Sequence, residues 1–229
     1  MAQFTAFKPS LVKFLRQLEK NNNRAWFADN KQRYEDLVRE PALDFISAMG
    51  QPLADITPYF IAVPKKSGGS LMRPYRDTRF ARDKTPYKTN VGIQFRYEHG
   101  KDVHAPGFYV HIDPREVFVG AGMWRPDSKP LRAIRNAIVE EPSQWRAARD
   151  NRTLRKHFEL AGEQLKTSPR GFDREHKYID DLRRKDFIAI KTLTHADLYR
   201  PTLLRDMSRA FKAASPLMVF LCEAVGARF

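Results

Sequence analysis

Three segments in the middle of the chain, residues 91–98, 107–113 and 117–122, alternate apolar and polar side chains. This period of two is typical of a β-strand with one buried face and one polar face. The first connection contains His99 and His104 and is predicted to be a solvated hairpin loop, and the second is the turn sequence Asp113-Pro114-Arg115. Such short connections favour an antiparallel meander. One face of this sheet is expected to pack on helices, and the other to line a cleft.

Helical patterns precede and follow these strands. Residues 1–52 are predicted to be helical, with one helix over residues 9–20 and another over residues 24–39. Residues 53–125 contain the sheet, and residues 126–229 are again mainly helical. Within the latter part, residues 186–193 are rich in β-forming side chains and predict a strand that returns to the sheet. The predicted fold class is α+β, an antiparallel sheet flanked by N-terminal and C-terminal helical layers.

Length and composition limit the organisation of the chain. Its 229 residues can bury a sizeable core and show no linker or internal repeat, so we expect a single domain over residues 1–229. The single cysteine, Cys222, excludes an intramolecular disulfide framework and a cysteine-based zinc site. No segment approaches the roughly twenty apolar residues of a membrane span, and the first residues lack an apolar signal segment. We therefore expect a cytoplasmic protein without a membrane partner.

The most distinctive segment lies immediately before residue 91. Residues 73–90, called the basic motif below, read RPYRDTRFARDKTPYKTN, and the prolines Pro74 and Pro86 favour an irregular loop. Arginine suits a phosphate or carboxylate because its planar guanidinium donates two parallel hydrogen bonds. Asp77 and Asp83 are expected to form structural ion pairs with part of this positive charge. The candidate anion-binding residues are Arg73, Arg76, Arg79, Lys84 and Lys88, with Arg96 on the polar face of the following strand.

The basic motif also resembles the signature of a known family. That family is domain of unknown function 2461, which comprises uncharacterised bacterial proteins, and the resemblance spans nearly the whole chain. The matching pattern is Arg73-x-x-Arg76-Asp77-x-Arg79-Phe80-x-x-Asp83-Lys84-x-x-Tyr87. Supporting stretches are Asn22-Asn23-Arg24-x-Trp26-Phe27, Gly107-Phe108-Tyr109-Val110-His111-Ile112 and Gly120-x-Gly122-x-Trp124. The resemblance implies no particular reaction, since the family is named for lacking an assigned function.

Candidate catalytic residues lie on the predicted polar face of the sheet and in the motif. Histidine titrates near neutrality and can act as a general acid or base, so His111 is a catalytic candidate together with Tyr109 and Tyr87. An acidic partner, Asp77 or Glu116, within hydrogen-bond reach would strengthen this role for His111. The chain contains no P-loop, dinucleotide fingerprint, serine-hydrolase motif or familiar metal-ligand spacing. We therefore predict neither a cofactor nor a metal.

Three functions are compatible with these patterns. The first is a small-anion or nucleotide site, formed by the basic motif beside the sheet, in an enzyme or a binding protein. The second is a nucleic-acid-binding protein without catalysis, favoured by a formal net charge of +14 and by a later basic run over residues 146–156. The third is a structural or interaction protein whose Arg and Asp side chains form a buried ion-pair network. The oligomeric state is not indicated by the sequence.

Overall fold

The structure, a computed structural model, describes residues 4–97 and 105–229. The predicted loop with His99 and His104 lies outside the described residues. The N-terminal part is helical, as predicted, although the helix expected over residues 24–39 is divided. The break is at Asn30, which leaves helical geometry and whose side-chain amide donates to the carbonyl of Trp26 at 2.9 Å. The elements are α1 (Pro9–Lys20), α2 (Arg24–Asp29), α3 (Lys31–Tyr34), a π-helical turn (Glu35–Arg39), α4 (Glu40–Ala48) and α5 (Gly50–Ala54).

The sheet has six antiparallel strands in the order β1-β2-β3-β4-β6-β5. The strands are β1 (Phe60–Ile61), β2 (Val91–Tyr97), β3 (Gly107–Ile112), β4 (Val117–Met123), β5 (Glu159–Ala161) and β6 (Phe187–Leu193). The predicted meander is confirmed over β2, β3 and β4, and the returning strand is confirmed as β6. The sequence did not predict β5, because a strand of three residues is too short to show an alternating pattern.

Both helical layers pack against the same face of the sheet. Phe45 of α4 and Phe211, in the helix Leu203–Ala213 (α11), both contact the ring of Phe95 in β2, with centroid distances of 6.4 and 5.8 Å. A strand residue projects to one face only, so helices from the two ends of the chain share that face. The C-terminal helices are α6 (Ser128–Glu140), α7 (Pro142–Arg149), α8 (Arg152–His157), α9 (Ile179–Leu182), α10 (His195–Leu198), α11 (Leu203–Ala213) and α12 (Ser215–Ala224).

One cluster of buried side chains extends from Phe7 to Cys222. It joins the helices to the side chains that alternate inward along β2, β3 and β4, which confirms the α+β class. The proposal of a single domain rests on this shared core. In the described part of the chain, no helix has the length and apolar character needed to cross a lipid bilayer.

The basic motif is largely without regular secondary structure, as expected, but a single antiparallel bridge closes its base into a hairpin. Tyr75 pairs with Tyr87 in an antiparallel bridge. The N–H of Arg76 donates to the carbonyl of Pro86 at 2.9 Å, and the N–H of Lys88 donates to the carbonyl of Pro74 at 2.7 Å. Proline lacks an N–H but keeps its acceptor, so both prolines occupy positions where the pairing requires only a carbonyl. Residues 74–88 are called the motif hairpin below.

Candidate functional site

The base of the motif hairpin is attached to the end of α1. The side-chain amide of Asn22 donates to the carbonyl of Tyr87 at 2.9 Å, and the N–H of Tyr87 donates back to the Asn22 side-chain oxygen at 3.1 Å. The Tyr87 ring is buried and stacks on Phe27 with a centroid distance of 4.0 Å. Burial raises the pKa of the Tyr87 phenol. The structure thus gives Tyr87 a packing contact that orients the hairpin.

Two ion pairs within the hairpin involve the predicted aspartates. Asp83 accepts from Arg76, and Asp77 accepts two hydrogen bonds from the Arg79 guanidinium, at 3.0 and 2.7 Å. The bonds from Arg79 lower the pKa of Asp77 to about 2, and the Thr85 N–H, followed by Arg76, lowers the pKa of Asp83 to about 2. These pairs are not buried as the structural alternative requires, since the Arg79 side chain is 77% exposed and that of Asp83 is 60% exposed. Exposed pairs of this kind contribute only about 0–1 kcal/mol each.

A cleft of about 290 Å³ opens between the hairpin base, the end of α1 and the turn between β3 and β4. Its lining residues are Glu19, Asn22, Arg76, Asp83, Thr85, Tyr87, Lys88, Thr89, Asn90 and Arg115. Most charges in this lining are already compensated, because Arg76 pairs with Asp83 and Arg115 pairs with Glu19. Lys88 is different: it has no carboxylate partner among residues 4–97 and 105–229.

Lys88 carries a positive charge that its surroundings disfavour. The side chain is partly buried, and desolvation lowers its pKa, with a further lowering by the nearby charge of Arg73. Arg73 is itself exposed and, within the described residues, makes no ion pair. Two neighbouring cations that make no ion pair among the described residues therefore lie at the hairpin base. Arg73 does not line the cleft, but an anion bound at Lys88 would reduce both the desolvation cost of Lys88 and its repulsion by Arg73.

The polar face of the sheet places Tyr109 and His111 behind this cleft. The register pairs Gly92 with His111, and Asn90 of the cleft lining has its side-chain nitrogen 3.5 Å from His111 Nδ1. The Tyr109 hydroxyl lies 3.2 Å from the same Nδ1 atom. His111 also stacks against Phe118, with a centroid distance of 4.6 Å. The sequence prediction that Tyr109 and His111 share one face therefore agrees with the register, and Asn90 connects them to the cleft.

The electrostatics of this pair favour the neutral forms. Burial raises the pKa of Tyr109 to about 12 and lowers the pKa of His111, with Glu116 acting in the opposite direction on His111. The Tyr109 hydroxyl donates to His111 Nδ1 when the imidazole hydrogen is on Nε2, and it accepts when that hydrogen is on Nδ1. His111 Nε2 lies 3.8 Å from Glu116 Oε1, which is within ion-pair range but too long for a hydrogen bond. Asp77, the other acidic partner considered, is bonded to Arg79 in the hairpin tip.

The remaining predicted anion-binding residues lie outside the cleft. Arg79 and Lys84 are in the hairpin tip, where Lys84 Nζ donates to the carbonyl of Thr78 at 2.9 Å. Arg96 lies further along β2 and donates to the carbonyl of Gly69 at 2.9 Å. In the later basic run, Arg149 is engaged by Asp181 and Asp150. The structure therefore brings together only part of the predicted set.

Sequence reasoning missed several residues of the cleft. Asn22 lies just after α1 and Arg115 in the turn between β3 and β4, and the site role of Asn90 was not predicted. Asn22 occurs in one of the stretches quoted for the family resemblance, which was the only available signal. Across the described residues, no group of three or more His, Cys, Asp and Glu side chains is arranged to hold a metal ion.

These features define an α+β protein with an antiparallel sheet, helices on one face, and a basic hairpin beside a polar cleft. The chain belongs to the DUF2461 family, described as conserved hypothetical protein, whose model matches residues 10–220. The resemblance found in the sequence is therefore confirmed. Comparisons with curated proteins and with solved structures gave no match.

Proposed function

We propose that the protein binds a small oxyanion, a phosphate group or a carboxylate, in the cleft at the base of the motif hairpin. The observation that carries this proposal is Lys88, a partly buried cation in the cleft lining without a carboxylate partner among the described residues. Arg73, which makes no ion pair among the described residues, adds a second positive charge nearby. A structural role alone would leave the desolvation of Lys88 without compensation, whereas a bound anion provides it.

The neighbouring side chains suit such a ligand. Thr89 and Asn90 line the cleft beside Lys88 and carry neutral hydrogen-bond donors. Arg76 and Arg115 also face the cleft, each already held in position by a carboxylate. The ligand therefore meets cations whose geometry is set before it binds, which lowers the entropic cost of binding.

We propose that His111 accepts a proton next to the bound anion and that Tyr109 positions its ring. Asn90 contacts both the cleft and the imidazole, so a change at the ligand can reach His111. The neutral imidazole of His111 can accept a proton near neutral pH, and the Tyr109 phenol, whose pKa is raised to about 12, stays protonated and orients the ring. This arrangement supports an enzymatic function for the site, with His111 as its base and Tyr109 as the residue that positions the imidazole.

Lys88→Ala is expected to weaken the binding of inorganic phosphate by about 10- to 100-fold, because a hydrogen bond to a charged group contributes about 1.5–3 kcal/mol. Isothermal titration calorimetry at constant ionic strength measures the change. Lys84→Ala is the matched control, since it removes the same charge from the same hairpin but outside the cleft. Equal losses in the two variants would show that overall charge, not the cleft, holds phosphate.

Sulfate binding is expected to be accompanied by proton uptake at alkaline pH. The pKa of Lys88 is lowered in the free protein by burial and by Arg73, and a bound anion favours the protonated form and raises this pKa. Affinity should therefore be constant at pH values below the free-state pKa of Lys88 and fall as the pH rises above it. Calorimetry in two buffers of different ionisation enthalpy measures the uptake, which should be absent in Lys88→Ala. Uptake that persists in that variant would contradict the assignment.

A further inference from the structure

The tip of the motif hairpin presents an exposed aromatic ring. Phe80 is 96% exposed, the highest value among the large apolar side chains that the structure describes as exposed. Within the described residues, no other aromatic ring packs on it. The Arg79 guanidinium lies 6.0 Å from the ring centroid. Exposing a phenylalanine at such a position gives no folding stability, so the ring is available for an external partner.

Contacts within the hairpin order this tip. Arg79 is held by two hydrogen bonds to Asp77, and the N–H of Thr85 donates to Asp83 at 2.9 Å. The carbonyl of Thr78 accepts from the N–H of Ala81 at 3.3 Å and from Lys84 Nζ at 2.9 Å. None of these contacts involves the Phe80 side chain. The ring is therefore carried by a structured turn, which limits the entropy lost on binding.

The charge around Phe80 indicates the chemistry of the partner. Residues 73–88 contain six basic and two acidic side chains, in a chain with a formal net charge of +14. Arg82, two residues from Phe80, is exposed and makes no ion pair among the described residues. An aromatic ring next to several cations matches a polyanion that also offers flat apolar faces.

We propose that the hairpin tip is a contact surface for single-stranded nucleic acid. An unpaired base stacks on Phe80, and the adjoining backbone phosphates bind Arg79 and Arg82. A single strand is favoured over a duplex because paired bases are stacked on each other and do not expose their faces. A lipid surface is a poorer match, since the side chains nearest the ring in sequence include Arg79 and Arg82 and provide no second large apolar group. This proposal does not depend on the anion cleft.

Fluorescence anisotropy with a labelled oligothymidylate at low salt tests the proposal. The wild-type protein is expected to bind the single strand more tightly than a duplex of the same length. Phe80→Ala should weaken single-strand binding about tenfold, because stacking on one aromatic ring contributes about 1–3 kcal/mol per base. Arg82→Ala should reduce the slope of log K against log salt by about 0.7, the value for one phosphate contact on a single strand.

The controls separate the tip from general properties of the surface. Val139→Ala removes an exposed apolar side chain on α6, and Lys13→Ala removes an exposed lysine on α1. Val139→Ala should leave single-strand affinity unchanged, and Lys13→Ala should leave the salt slope unchanged. Phosphate binding in the cleft should not change in Phe80→Ala, so failure of either proposal can be recognised separately.

Unchanged oligonucleotide binding in Phe80→Ala, equal affinity for the duplex, or no binding at low salt would overturn the proposal. Phe80-dependent binding to phosphatidylserine vesicles without oligonucleotide binding would assign the tip to lipid instead.

Discussion

Replacing Asp181 with alanine is expected to lower the free energy of unfolding by about 3–5 kcal/mol, the cost of leaving buried charges without a partner. Asp181 accepts from the Trp145 indole N–H at 2.8 Å, from Arg149 at 2.6 Å and from Arg184 Nε at 3.2 Å. Its own side chain is 5% exposed. Removing it leaves the buried indole N–H and the Arg184 guanidinium without this acceptor, whereas Arg149 keeps its ion pair with Asp150. Urea denaturation measures the loss. An unchanged dependence of the unfolding free energy on urea concentration shows that the substitution does not alter the unfolded state.

The adjacent residue provides a matched control. Asp180 is on the same helix, α9, with a side chain that is 82% exposed and an ion pair to Arg183 at 3.3 Å. Asp180→Ala is expected to change the free energy of unfolding by no more than about 0.5 kcal/mol. If the two variants lose equal stability, the buried hydrogen bonds of Asp181 contribute no more to folding than the exposed ion pair of Asp180.

Gly122→Ala is expected to prevent the normal pairing of β4 with β6. Gly122 has φ +126°, and a Cβ atom there would lie 2.0 Å from the carbonyl oxygen of Phe187. That oxygen belongs to the backbone of β6, so no side-chain rotation relieves the overlap. Gly122 is paired with Ile188 near the end of β4, and both strands lie in the interior of the sheet, so separating them exposes part of the core. We expect a loss of more than about 4 kcal/mol or failure to fold, measured by thermal denaturation followed by circular dichroism.

Gly50→Ala is the matched control, because it adds the same methyl group at a position where there is space for it. A Cβ at Gly50 would have no neighbouring atom within 4 Å, and the residue is in helix α5. The substitution is expected to stabilise the protein by about 0.4–1 kcal/mol, since alanine restricts the unfolded chain. If Gly122→Ala and Gly50→Ala have the same melting temperature, the proposed overlap at Gly122 is wrong.

The basic motif shows which features of the candidate site can be predicted from the sequence and which cannot. Its composition located the candidate site and predicted that Asp77 and Asp83 take part in ion pairs, since acidic and basic side chains close in sequence can meet in many conformations. The hairpin was not predicted, because proline disfavours strand pairing in general and its effect depends on which backbone groups the register uses. The sequence also could not predict which cations lack a carboxylate partner. This depends on residues far away along the chain, such as Glu19, which pairs with Arg115.

The sequence alone determined the α+β class, the meander, the returning strand and the family, because alternating and helical periods and a long mixed motif are local properties of the chain. Only the tertiary structure decided that both helical layers share one sheet face and that Asn22 attaches the motif hairpin to α1. It also distinguished Lys88 from the neighbouring cations. Burial and charge compensation arise from residues distant in sequence, and no local pattern encodes these distances.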